Sequence, residues 1–112
     1  MVAKKSPTGR EYDIENGRYL VWHADVWEDE GEEPFDVRLP LRMKAGVLFE
    51  LGVETEVNID AMRVILEAIA PNAREQFSNM DLNDFQECFT AWQFEYELLN
   101  GATLGEAAGS PS

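Results

Sequence analysis

The chain has 112 residues, 45% of them hydrophobic and 11% aromatic, which suffices for one core and excludes two full domains. Twenty-two acidic side chains against nine basic ones leave a formal charge of -13, a field that repels nucleic acid and anionic lipid alike. No run approaches the ~20 apolar residues of a spanning helix, so the expectation is a soluble protein with neither a nucleic-acid nor a membrane partner.

Residues 1–11 hold Lys4, Lys5, Pro7 and Gly9, and with no apolar stretch behind the lysines they read as a flexible N-terminal tail of a cytosolic protein. A single globular domain is expected over 12–101. Tyr12 and Ile14 alternate with polar residues, Asn16-Gly17 is a type I′ turn signal, and the aromatic and β-branched run from Tyr19 to Trp27 reads as a strand. The acidic stretch 28–34 follows as a loop. A second alternation, Phe35, Val37, Leu39, Leu41 and Met43 against Asp36, Arg38, Arg42 and Lys44, has the period of a half-buried sheet. Pro40 lacks the N–H of a ladder and is placed in the first turn of a helix, which gives a strand over 35–39 and a helix over 41–51 stopped by Gly52.

The second half is helical in its spacing. Asn58 is a plausible N-cap for Ile59, Met62, Ile65, Leu66 and Ile69, and Pro71 ends that segment and opens a short helix near 71–79 with Phe77 inward. Asp81 caps the longest helix, in which Leu82, Phe85, Phe89, Trp92, Tyr96 and Leu99 recur at three and four residues until Asn100-Gly101. Residues 102–112 are small and polar and read as a disordered C-terminal tail. The fold class is α+β: an N-terminal β-hairpin or small antiparallel sheet followed by a mainly helical C-terminal bundle.

Chemistry is sparse. The acidic residues around Gly31 invite a calcium site, yet with Gly31 at position 6 of an EF-hand loop the end positions fall on Val26 and Val37, which have no ligand oxygen in their side chains. One histidine, His23, and one thiol, Cys88, assemble neither a zinc site nor a nucleophilic triad, and Asp81 and Asp84 serve a helix N-terminus. The expectation is no enzyme, no metal and no cofactor. What exceeds background is apolar surplus: Phe94, Leu98 and Ala91 fall opposite Trp92 and Tyr96 on the last helix. Two readings stay open there. Either the helix is packed on both sides, or the second face is a partner-binding patch.

The run 58–77, NIDAMRVILEAIAPNAREQF, the run 80–96, MDLNDFQECFTAWQFEY, the Leu-Pro-Leu step at 39–41 and the Leu104-Gly105-Glu106 tail resemble the tail assembly chaperones of long-tailed bacteriophages, especially those of actinobacterial hosts. The resemblance spans roughly residues 35–112 and carries no catalytic signature. It implies a protein of the host cytoplasm, absent from the mature virion, that holds the tape measure protein soluble until tail tube subunits displace it. It further implies a longer frameshifted form as a companion product, and it leaves room for a homo-oligomer. The composition alone also fits an acidic DNA mimic that inhibits a host DNA-binding protein, for which rows of carboxylates along one surface would be the mark.

Overall fold

The computed structural model describes residues 1–51 and 58–101. Four strands, β1 (Val2–Lys5), β2 (Glu11–Glu15), β3 (Tyr19–His23) and β4 (Asp36–Pro40), pair in sequential antiparallel order. Four helices follow: α1 (Ala45–Leu51), α2 (Ile59–Ile69), α3 (Arg74–Asn79) and α4 (Leu82–Asn100). The architecture is the expected α+β, an antiparallel sheet followed by helices.

The alternation of the strands decides which sheet face meets the helices. Tyr12 and Ile14 on β2, Leu20 and Trp22 on β3, and Val37 and Leu39 on β4 point one way and are buried. Asp13, Glu15, His23, Asp36 and Arg38 point the other way, toward water. Across the buried face lie Ile65 and Leu66 of α2, Phe77 of α3, and Phe85, Phe89 and Trp92 of α4, one contiguous core. The β2–β3 turn has positive φ at Asn16 and Gly17, and the Arg18 N–H donates to the Glu15 carbonyl at 3.0 Å, as the Asn-Gly signal predicts.

The helix ends also follow their sequence signals. Asn58 accepts the Ala61 N–H at 2.9 Å, Asp81 accepts the N–H of Asn83 and Asp84, and Gly101 closes α4 in the left-handed conformation that a Cβ disfavours. Pro71 opens a 3-10 turn, Pro71–Ala73, that runs into α3, and Phe77 points inward.

The strand expected from Tyr19 to Trp27 ends at His23, and two further expectations are corrected. Residues 1–11 are no loose tail: Val2–Lys5 form an edge strand in register with Glu11–Ile14, and a turn in which the Gly9 N–H returns to the Ser6 carbonyl joins them. Composition misleads there because the anchors are long-range ion pairs made by the very lysine and arginine that mark the segment as polar. The helix expected over 41–51 begins at Ala45, and Pro40 closes β4 opposite Tyr19. An edge strand tolerates proline where no neighbour asks for its N–H, so the alternation through Leu39 outweighs the helix-start signal. The Gly52 stop, the side chains of Leu48 and Leu51, and the tail 102–112 lie outside the described residues.

Candidate partner-binding surface

Helix α4 runs over the sheet and sorts its residues by angle. Phe85, Cys88, Phe89, Ala91 and Trp92 join the apolar core, and Asp84 and Glu95, on the same line as Cys88 and Ala91, meet the first hairpin. The Trp92 indole N–H donates to the Pro40 carbonyl at 2.9 Å, and its ring stacks on Tyr96 with centroids 5.1 Å apart.

The line of Asp84, Cys88, Ala91 and Glu95 carries two buried carboxylates, and each is met by the hairpin. Asp84 accepts from the Arg10 guanidinium, from the Trp22 indole N–H at 3.1 Å and from the Asp25 backbone N–H at 2.8 Å. Arg10 also donates to the His23 carbonyl at 2.6 Å and lies 5.0 Å over the Trp22 ring. Glu95 accepts from Lys4 at 2.9 Å and from the Tyr12 hydroxyl at 2.6 Å. Burial and the Glu95 carboxylate together hold the Tyr12 phenol proton far above its ordinary pKa. No buried side-chain polar atom among the described residues lacks a hydrogen bond, so these carboxylates act as structural anchors.

That arrangement splits the predicted patch. Ala91 is 1% exposed and belongs to the interior, a correction, whereas Phe94 is 57% and Leu98 63% exposed. Ala91 and Phe94 differ by about 60° of helix rotation, and Ala91 lies between the anchored Asp84 and Glu95 on the side of α4 that joins the core. Phe94 and Leu98, four residues apart, remain as a two-residue apolar step on the same helix side, with Thr90 exposed one turn before them.

The remaining chemical candidates resolve into structure. His23 lies on the open sheet face between Asp36, 2.8 Å from Nδ1, and Asp13, 3.0 Å from Nε2, and the hydrogen bond to Asp36 is the main cause that raises its pKa above 6.5. Two carboxylates on opposite ring nitrogens bracket an imidazolium and leave no nitrogen free for metal. Cys88 is fully buried, and burial, with the Asp84 carboxylate next in weight, pushes its thiol pKa well up, away from thiolate reactivity. Among the described residues no three His, Cys, Asp or Glu side chains converge on a common metal position, and no helix is long and apolar enough to cross a membrane.

The acidic stretch is a 3-10 turn, Glu28–Glu30, closed by Gly31 at φ 83°. Glu32 folds back to accept the Trp27 N–H at 2.9 Å, and the Trp27 indole donates to the α4 cap Asp81 at 3.1 Å. Sequence reading did not single out this Trp27 tether, since only the fold brings residues 54 positions apart together. A further surface feature missed from the sequence is a cleft of about 310 Å³ between the first turn of α2 and the α3–α4 junction. Compared with models of known protein families, with curated proteins and with solved structures, the chain matches none in any of the three.

Proposed function

We propose that this protein is a tail assembly chaperone of a long-tailed bacteriophage, which binds apolar helical segments of the tape measure protein and keeps them soluble during tail assembly. The observation that carries the reading is the exposed Phe94–Leu98 step on α4, at 57% and 63% exposure, on a molecule of charge -13. A soluble chain gains nothing for its own core by exposing these two side chains. An amphipathic partner helix laid along α4 would cover them, each contributing about 1.5–3 kcal/mol of burial at most. The charge has a matching use, because like-charged complexes repel one another and a loaded apolar helix is kept from aggregating. The sequence resemblance adds the expected setting: host cytoplasm, absence from the mature virion, displacement by tail tube subunits, and a longer frameshifted companion. Binding needs no cofactor and no catalysis.

The test is a paired substitution, Phe94→Ser with Leu98→Ser, assayed by retention of a recombinant apolar-rich tape measure segment. The expected result is at least tenfold weaker retention with an unchanged circular dichroism spectrum. A folded double variant that still solubilises the segment would overturn the assignment of this face. Salt-sensitive binding to a host DNA-binding protein, with no retention of any tape measure segment by the wild type, would replace the reading by the DNA mimic.

A further inference from the structure

The corner where α2 begins and α3 meets α4 is a second place where apolar side chains are exposed. Ile59, first residue of α2, is 42% exposed, and Leu82, first residue of α4, is 60% exposed. They flank the 310 Å³ cleft, whose floor is formed by Phe77, Met80 and Phe85. That volume is at the low end of the roughly 300–1,000 Å³ of ligand pockets, with room for a pair of side chains.

Charge is distributed unevenly around it. On the cleft wall Arg63 meets Asp60 at 2.7 Å and Glu67 at 2.8 Å, and Arg74 meets Glu67 at 3.0 Å, so two guanidinium groups balance two carboxylates. The other side differs. Trp27, 51% exposed, is tied by its indole N–H to Asp81, the residue between Met80 and Leu82, and that tie holds the start of the acidic turn beside the cleft. Glu28, Asp29, Glu30 and Glu33 have no cationic partner among the described residues, and Glu32 is spent on the Trp27 N–H. The uncompensated carboxylates do not line the cleft; they are tied next to it through Trp27 and Asp81, whose chain neighbours Met80 and Leu82 do line it.

The polar groups of the cleft are already engaged. Arg63 donates to both Asp60 and Glu67, and the Ser78 hydroxyl donates to the Arg74 carbonyl at 3.3 Å. A segment entering there must satisfy its own backbone hydrogen bonds, which a helix does and an extended strand does not.

We propose that this cleft docks a cationic amphipathic helix of a partner protein, its apolar side chains entering between Ile59 and Leu82 and its lysines or arginines lying along the acidic turn. The site is separate from the Phe94–Leu98 face and does not depend on the phage reading. The probe is a synthetic helical peptide of leucine and lysine, leucines at i, i+3, i+4 and i+7, titrated calorimetrically into the full chain. A second peptide with the same lysines and with serine for leucine is the control for charge alone.

The leucine peptide is expected to bind, shift the emission of Trp27 to the blue, and lose at least tenfold in affinity against the Ile59→Ser, Leu82→Ser double variant. Replacing Glu28, Glu30 and Glu33 by glutamine should weaken binding and flatten its salt dependence, while Phe94→Ser with Leu98→Ser should leave it unchanged. Should the serine double variant lose its circular dichroism, the single variant Leu82→Arg, at an exposed position, takes its place and should repel the peptide. Equal binding of the serine peptide, wild-type affinity in the folded Leu82 variants, or loss of binding in the Phe94/Leu98 variant would each overturn the proposal.

Discussion

Trp92 is the residue on which the two layers close. Its ring fills the space between Phe89 and Tyr96, and its indole N–H satisfies the carbonyl of Pro40 at the end of β4. Replacing it by alanine removes a fully buried aromatic and leaves that carbonyl without its donor, so the expected loss is ~3–5 kcal/mol by chemical denaturation. A loss below about 1 kcal/mol would show that the helix can repack around the gap. His23 offers a pH-dependent counterpart on the solvent face. Both ring nitrogens face carboxylate oxygens, and only the imidazolium can donate to both. Because its folded pKa lies above the unfolded value of about 6.5, the clasp stabilises the sheet fully below that pH and fades as pH rises through the folded value. The side chain is 44% exposed, which keeps the effect on the scale of a screened surface pair. The urea midpoint should fall modestly between pH 6 and pH 9 in the wild type and stay level in His23→Gln, and Asp36→Asn should lower the His23 titration midpoint seen by NMR. An equal fall in His23→Gln would assign the pH dependence to another group.

At the level of elements, β1 earns its place through its side chains more than through its backbone. It is an edge strand with one neighbour, and Val2, Ala3 and Lys5 are exposed. What fixes it is Lys4 on the buried Glu95 of α4, while Arg10 at the far end of the hairpin turn engages the buried Asp84. Deleting residues 1–10 would strand both carboxylates inside the protein without their cations, the costly way to break a buried pair, at about 3–5 kcal/mol each when fully desolvated and less here because Lys4 and Arg10 are partly exposed. The shortened chain should unfold at a much lower urea midpoint than the full chain, with β2 amides losing hydrogen-exchange protection first. An unchanged midpoint would mean that water replaces the hairpin on α4. Hairpin and core cover much of the middle of α4 and leave Phe94 and Leu98 exposed, as they leave Leu82 and Leu99 near its two ends.

For the whole molecule the decisive quantity is the formal charge of -13. The ion pairs of the described residues are concentrated on the hairpin, the open sheet face and α2, which leaves the acidic turn after Trp27 as an unbalanced pole. Self-repulsion of a compact anion opposes folding and is screened by salt, whose Debye length shrinks from about 30 Å at 0.01 M to about 8 Å at 0.15 M. The surface pairs that salt also weakens contribute little each, so repulsion wins the comparison. Thermal or urea midpoints should therefore rise between those two ionic strengths. A fall would show that the paired anchors Lys4–Glu95 and Arg10–Asp84 outweigh the net repulsion.

Sequence by itself determined what depends on neighbours in the chain. The 3 and 4 spacing of Phe85, Phe89 and Trp92, the caps Asn58 and Asp81, the Asn16-Gly17 turn and the left-handed Gly101 are local physics and were legible as such. The inward alternation of Val37 and Leu39 was equally plain. Tertiary structure decided what depends on distant charge and on edges. Lys4 and Glu95 are 91 positions apart and Arg10 and Asp84 are 74 apart, so nothing local announces that a polar N-terminus is a strand. Pro40 belongs to β4 because β4 is an edge, a property of strand order that no window of sequence contains. The exposed Phe94–Leu98 step was half legible: periodicity placed Ala91, Phe94 and Leu98 opposite Trp92, but only the packing of α4 showed that Ala91 is interior and that the other two face water.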